Sequence, residues 1–96
     1  AIAVLEQVKA AGMDGKLKII GNGGSREGAA AVADGTFYGT LGNWPFQNGE
    51  IAGQMAIDAV NGKTIDPVAV DAFAIDTPFV ITKDNVAEFK AEWGAQ

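Results

Sequence analysis

The spacing of apolar positions divides the chain into alternating helices and strands. A first helical face is predicted by apolar residues at i, i+3, i+4 and i+7, namely Ala1, Val4, Leu5 and Val8. Gly12 can end this helix in a left-handed conformation. The apolar run 17–20 is typical of a buried parallel strand. A second helix is predicted from about Arg26 to Asp34, with Ser25 as its N-cap and Gly35 at its end.

The second half of the chain continues this alternation. The predicted elements follow in chain order: a strand at 36–41, a helix with apolar residues at 52, 55, 56, 59 and 60 that stops at Asn61–Gly62, strands at 68–75 and 79–82, and a final helix over about 86–93. The final helix is predicted because Asn85 and Glu88 have the spacing of a capping box, and because Val86, Phe89, Lys90 and Trp93 fall on one helical face. This spacing with Phe89 predicts a packing role for Trp93. Strands that alternate with helices predict an α/β layered fold with a mainly parallel sheet.

Composition narrows the possible functions. The chain has 96 residues, a formal net charge of -5, no cysteine and no histidine. The negative charge argues against nucleic acid as a partner. The missing histidine and cysteine remove the commonest metal ligand, general base and thiol nucleophile, so we expect no catalytic residues, no metal site and no cofactor. The chain starts on a helix with no strand before it, and we therefore expect it to be a piece of a longer protein.

A glycine-rich loop, Gly21-Asn22-Gly23-Gly24, lies between a predicted strand and a predicted helix. Phosphate-binding loops occupy such positions, but the dinucleotide fingerprint would need glycine where this chain has Arg26. Two interpretations remain. The glycines either form a tight turn, or they leave room for a ligand to approach the backbone and the Asn22 amide at the carboxyl end of the strand.

The stretch GTLGNWPFQNG, residues 39–49, separates a predicted strand from the longest predicted helix. Trp44 lies outside every periodic pattern and stands between Asn43 and Pro45. A loop tryptophan beside an amide offers a flat apolar face and a polar group, as sugar sites do. The residues alone leave two alternatives open, since Trp44 could equally fill the top of the sheet.

The ordered set of these motifs resembles a known family. The set comprises a helix closed by Asp34-Gly35, a strand that carries Gly39-Thr40 ahead of an amide-x-Pro, a helix closed by Asn61-Gly62-Lys63, and the ending DTPFVITKDN. Over essentially its whole length the chain resembles the C-terminal third of a type I periplasmic sugar-binding protein, of the ribose/galactose-binding kind, that serves an ABC transporter.

The resemblance implies a two-lobed fold with Rossmann-like parallel-sheet lobes joined by a hinge, and a ligand held between the lobes. It implies ligand-binding roles for Asn22, Gly23, Asn43 and Trp44, and a hinge formed by Gly42, Asn43 and Pro45. Family members commonly have aspartate where this chain has Gly23, and glutamine where it has Asn43. The missing carboxylate leaves the identity of the ligand open.

The resemblance also implies a domain organisation. Residues 1–43 would belong to the C-terminal lobe, residues 44–67 would cross to and pack on the N-terminal lobe, and residues 68–96 would return. The expected partners are a sugar or polyol, a membrane permease of an ABC importer, and the N-terminal lobe, present as a separate chain or removed by proteolysis. The implied location is periplasmic or otherwise extracytoplasmic, with the full-length protein free or lipid-anchored. The alternative is the effector-binding domain of a sugar-responsive LacI-type transcription regulator, which shares this fold.

Overall fold

A computed structural model describes residues 1–66 and 79–95. Within these residues the elements follow in chain order: α1 Ile2–Ala10, β1 Ile20–Asn22, α2 Arg26–Asp34, β2 Gly39–Leu41, α3 Pro45–Val60 and β3 Val80–Ile81. The strand expected at 68–75 lies outside the described residues. The chain forms two compact units, Ala1–Asn43 with Asp76–Gln96, and Trp44–Ile75. The α/β class is confirmed, with three helices and three strands in the described part of the chain.

The first unit contains a mixed sheet, which differs from the mainly parallel sheet that the sequence predicts. β1 and β2 pair in parallel from Ile20 opposite Gly39 to Asn22 opposite Leu41. β3 adds to the other edge of β2 in the antiparallel direction, with Thr40 opposite Ile81. An antiparallel edge strand on a parallel pair is a common arrangement in α/β folds. The parallel part places the carboxyl ends of β1 and β2 at one edge of the sheet.

Helix α2 has the boundaries that the sequence predicts, because both of its ends are fixed by local interactions. The Ser25 hydroxyl accepts a hydrogen bond from the backbone N–H of Gly28 at 3.1 Å. Gly35 ends the helix in the left-handed region, with φ of 86°. One face of α2 supplies Ala31 and Val32 to the core of the first unit, where Phe37 packs with them. Partly buried Leu5, Ile19 and Val86 surround this core.

The strands are shorter than the apolar runs that predict them. β1 begins at Ile20 instead of residue 17 because its partner strand begins only at Gly39. One further backbone bond, from the Tyr38 N–H to the Ile19 carbonyl at 2.8 Å, extends the pairing. Leu17 is half exposed, so hydrophobicity there does not indicate a ladder position.

The prediction of a final helix is wrong. Residues 83–88 form successive turns, and residues 89–95 have no regular structure beyond a bend. The Asn85 side chain accepts a hydrogen bond from the Thr82 N–H at 2.8 Å and donates one to the Val80 carbonyl at 3.1 Å. It therefore caps the end of β3 and does not start a helix. Val86 and Phe89 still turn inward, which explains why their spacing looked helical.

The second unit contains α3. Pro45 is its first residue, a position that suits proline because the first N–H of a helix has no helical acceptor. Asn61 follows its last residue, as the sequence predicts. No residue of α3 is buried, and its apolar side chains Phe46, Ile57 and Val60 are 67%, 56% and 88% exposed. Neither α3 nor any other helix in the described part of the chain combines the length and hydrophobicity that crossing a membrane requires.

Candidate ligand site at the glycine loop

The loop between β1 and α2 runs along the carboxyl edge of the parallel strands. Gly23 and Gly24 both adopt positive φ, at 114° and 56°, a region that other residues rarely adopt. The Gly23 N–H donates to the Leu41 carbonyl at 3.1 Å, which ties the loop to the end of β2. Ligands of open α/β sheets bind at this edge, so the position of the loop agrees with a binding role.

Glycine is required at position 24 because there is no room for a side chain, as well as because of the backbone angle. A Cβ at this position would lie 2.9 Å from Phe89 Cζ, 3.0 Å from the Gly42 Cα and 3.1 Å from the Leu41 carbonyl oxygen. Two of these three atoms are backbone atoms that cannot turn away. The tight turn that the sequence predicts at this loop is therefore confirmed.

A small cavity opens beside the loop, with a volume of about 130 Å³. Its lining combines loop and helix backbone with side chains of two kinds, polar (Asn22, Ser25, Thr40) and aromatic (Phe37, Trp93). Thr40 is only 1% exposed, and its hydroxyl makes one long hydrogen bond, 3.4 Å to the Leu41 carbonyl. The accessible part of the lining is therefore the Asn22 amide and Trp93, while Thr40 and Phe37 form the buried floor of the cavity.

The last described residues of the chain close over this loop. We refer to residues 92–95 as the C-terminal clasp. The Trp93 indole N–H donates to the Gly23 carbonyl at 2.7 Å. The Arg26 N–H donates to the Trp93 carbonyl at 2.9 Å, and the Arg26 guanidinium donates to the Gly94 carbonyl at 2.7 Å. These bonds fix the non-helical course of the chain at the end of the segment that the sequence predicts as a final helix.

One carboxylate completes the attachment of the C-terminal clasp. The pKa of Glu27 is lowered, first by its own backbone N–H, then by the Ala95 N–H, which donates to Oε1 at 2.7 Å, and by the Ser25 hydroxyl. Glu27 lies in the first turn of α2, where the helix dipole also favours a negative charge. The negative charge of Glu27 is thus the form that holds the clasp.

The residues expected to bind ligand fall in both units. In the first unit, Asn22 is exposed and lines the cavity, while Gly23 lies against the Trp93 indole and accepts a hydrogen bond from its N–H. Asn43 is exposed and is the last residue of this part of the unit. In the second unit, Trp44 is only 6% exposed and directly precedes α3. The ligand-binding roles of these four residues remain predictions.

The residues expected to form a hinge have defined backbone surroundings. Gly42 is buried, and its N–H donates to the Phe79 carbonyl at 2.8 Å. Gly42 does not have a positive φ, so the glycine is not needed there for a left-handed turn. Pro45 is the first residue of α3. The change from one compact unit to the other falls between Asn43 and Trp44.

Trp93 lines the cavity although the sequence pattern does not reveal it as a cavity residue. Its helical spacing with Phe89 suggested a role in packing, but Trp93 is 42% exposed and lines the cavity. No local signal identifies its partner, because Gly23 is 70 positions away in the sequence.

A larger cavity, of about 290 Å³, lies at the opposite end of β1, beside Lys9, Lys18, Asp34 and Tyr38. The Lys18 ammonium lies 4.4 Å from the centre of the Tyr38 ring, so the two side chains already contact each other. This cavity adjoins the amino end of the strand, and ligands of open α/β sheets bind at the carboxyl ends. The glycine loop is therefore the stronger candidate in spite of its smaller cavity.

Within residues 1–66 and 79–95, no cluster of three or more acidic, histidine or cysteine side chains could hold a metal ion. No protein-family model matches the chain, and no curated protein matches it. Support for a function therefore has to come from the chemistry of the site itself.

Proposed function

We propose that this chain is part of a solute-binding receptor of the periplasmic sugar-binding kind, which binds a sugar or polyol between two lobes and delivers it to the permease of an ABC importer. The first unit would contribute one wall of the binding cleft. Closure of the lobes would be driven by the higher affinity of the closed state for the ligand.

The cavity beside the glycine loop is the observation that supports this proposal most directly. It lies at the carboxyl end of two parallel strands, where α/β proteins bind small molecules. It offers the exposed amide of Asn22 beside the partly exposed Trp93, above a floor that contains the buried Phe37 and Thr40. A sugar matches this lining because it has hydroxyl groups at its edge and C–H groups on its faces.

The exposed surface of α3 supports a second lobe. A helix with Phe46, Ile57 and Val60 exposed places apolar area in water at a cost of roughly 25 cal/mol per Å². An amphipathic helix normally buries that face against a partner. We propose that the N-terminal lobe of the full-length protein covers it.

Calorimetric titration of the full-length protein tests the proposal. D-ribose, D-xylose, D-galactose, D-glucose, myo-inositol and D-sorbitol cover pentoses, hexoses and polyols. We expect saturable binding of at least one of them, and weaker binding of that ligand by Asn22→Ala and by Asn43→Ala. Tyr38→Ala, which alters the cavity at the other end of β1, serves as the control and should bind with wild-type affinity.

Two results would contradict the proposal. A folded full-length protein that binds none of these solutes would remove the sugar-receptor function. A protein that binds a sugar and also binds a specific DNA operator would be a transcription regulator instead of a transport receptor.

A further inference from the structure

The C-terminal clasp is attached to the glycine loop and the start of α2 by several hydrogen bonds. Three of its backbone groups, together with the Trp93 indole, form hydrogen bonds of 2.7–2.9 Å with residues 23–27. Each bond joins segments about 70 positions apart in the sequence. The clasp has no regular secondary structure, so these bonds fix its course.

Two glycines make this close contact sterically possible. A Cβ at Gly23 would lie 2.8 Å from Trp93 Cζ2, within the indole ring system. A Cβ at Gly94 would collide with the Glu27 carboxylate and would lie 3.0 Å from the Arg26 nitrogen. Both glycines also have positive φ, at 114° and 97°. The edge of the indole therefore lies directly against the loop backbone, where a side chain at Gly23 would displace it.

Trp93 combines a hydrogen-bonded indole edge with an exposed part. Its indole N–H is bonded to the Gly23 carbonyl, while the residue is 42% exposed and lines the cavity with Asn22, Phe37 and Thr40. At about 30 Å³ per water molecule, a cavity of about 130 Å³ holds about four waters. That space fits one end of a sugar, such as a hydroxymethyl group with its neighbouring hydroxyl, and does not enclose a whole ring.

We propose that Trp93 is a specificity-determining residue of the receptor, which forms the aromatic wall of the cavity at Asn22 and stacks on the C–H face of the bound sugar or polyol. This inference rests on the proposed function. The C-terminal clasp positions the ring, because the bond to the Gly23 carbonyl fixes the indole edge, and the Arg26 and Glu27 bonds fix the backbone at Trp93 and in the two residues that follow it. Asn22, whose side chain forms no hydrogen bond within the described residues, is then free to bind a hydroxyl group of the same ligand.

The test compares the wild-type full-length protein with variants at Trp93 alone, so that Trp44 stays unchanged. We expect the sugar that binds in calorimetry to shift the tryptophan emission of the wild-type protein, and to shift it less in Trp93→Phe. Trp93→Ala should weaken binding of that sugar by about tenfold, the upper end of what one aromatic contact contributes. Trp93→Phe keeps a ring face but loses the indole N–H, and we expect an intermediate loss.

Amide hydrogen exchange gives a readout that does not depend on substitution of the tryptophan. In the wild-type protein, the binding sugar should slow exchange of the Arg26 and Ala95 amides, which bond to the Trp93 carbonyl and to Glu27. Unchanged affinity in folded Trp93→Ala, or unchanged exchange at both amides, would overturn the inference while leaving the receptor function intact. A wild-type protein that binds no sugar would overturn both, and it is recognised by the wild-type titration alone.

Discussion

Replacement of Gly24 by alanine tests the packing of the glycine loop most directly. The substitution adds one methyl group at a residue whose φ is 56°, where an L-residue pays about 1–2 kcal/mol. The new Cβ would also lie 3.0 Å from the Gly42 Cα and 3.1 Å from the Leu41 carbonyl oxygen. Insertion of a methyl group into such a packed site typically costs about 1–3 kcal/mol more. We therefore expect Gly24→Ala to destabilise the protein by roughly 2–5 kcal/mol.

Gly35→Ala is the matched control, because it removes the same kind of glycine without the steric conflict. Gly35 has φ of 86°, but the nearest atom to a Cβ there is the Lys83 ammonium nitrogen, at 3.6 Å on a flexible side chain. Only the backbone cost of about 1–2 kcal/mol applies. The smaller entropy of the unfolded alanine chain, worth about 0.4–1 kcal/mol, affects both variants equally.

Urea unfolding followed by circular dichroism, with the midpoints of both variants measured side by side, gives the comparison. We expect Gly24→Ala to be less stable than Gly35→Ala by about 1–3 kcal/mol. For a domain of this size each kcal/mol corresponds to about 4–8 °C in Tm. Equal losses in the two variants would show that the loop does not approach Gly42 and Leu41 as closely as described, and the cavity beside it would have a different shape.

Three further predictions concern helix ends, pH and the surface of α3. Ser25→Ala removes the acceptor of the Gly28 N–H and should cost about 1 kcal/mol in urea unfolding, whereas Ser25→Asp should restore most of it. Because the pKa of Glu27 is lowered, the contribution of Glu27 to stability is complete above pH 4.5, its ordinary pKa, and is lost as the pH falls through the lowered value. Glu27→Gln should therefore flatten the acid side of the profile of unfolding free energy against pH. An unchanged profile would contradict the hydrogen bonds of the C-terminal clasp to Glu27. Val60→Asp should change the stability of the isolated chain by less than about 0.5 kcal/mol but destabilise the full-length protein by about 1.5–3 kcal/mol, and equal effects would argue against a lobe that covers α3.

The parts of the fold that local chemistry determines could be predicted from the sequence. Helix α2 has the predicted ends because the Ser25 hydroxyl and the left-handed Gly35 act within one turn of the helix. The end of α3 at Asn61 follows from the same kind of signal. Strand ends were less predictable, because the length of β1 depends on where β2 begins and not on its own hydrophobicity.

The final segment shows why the rest could not be predicted. Asn85 and Glu88 have capping-box spacing, yet the Asn85 side chain bonds to Thr82 and Val80 at the end of β3. Hydrogen bonds from Arg26 to the Trp93 and Gly94 carbonyls then outweigh the weak helix preference of residues 86–93. Neither interaction has a signature in the segment itself, since the partners belong to other elements.

Burial, considered together with the sequence pattern, favours Trp93 over Trp44 as the tryptophan that contacts a ligand. Trp44 lies outside every periodic pattern, but it is only 6% exposed, so little of its ring can face a solute. Trp93 fits a helical pattern that predicts packing, but the residue is 42% exposed beside the Asn22 cavity. A ring can stack on a ligand only if one face is open and its edge is held. Trp93 meets both conditions, because the bond from its indole N–H to Gly23 fixes the edge while the cavity leaves room beside the ring.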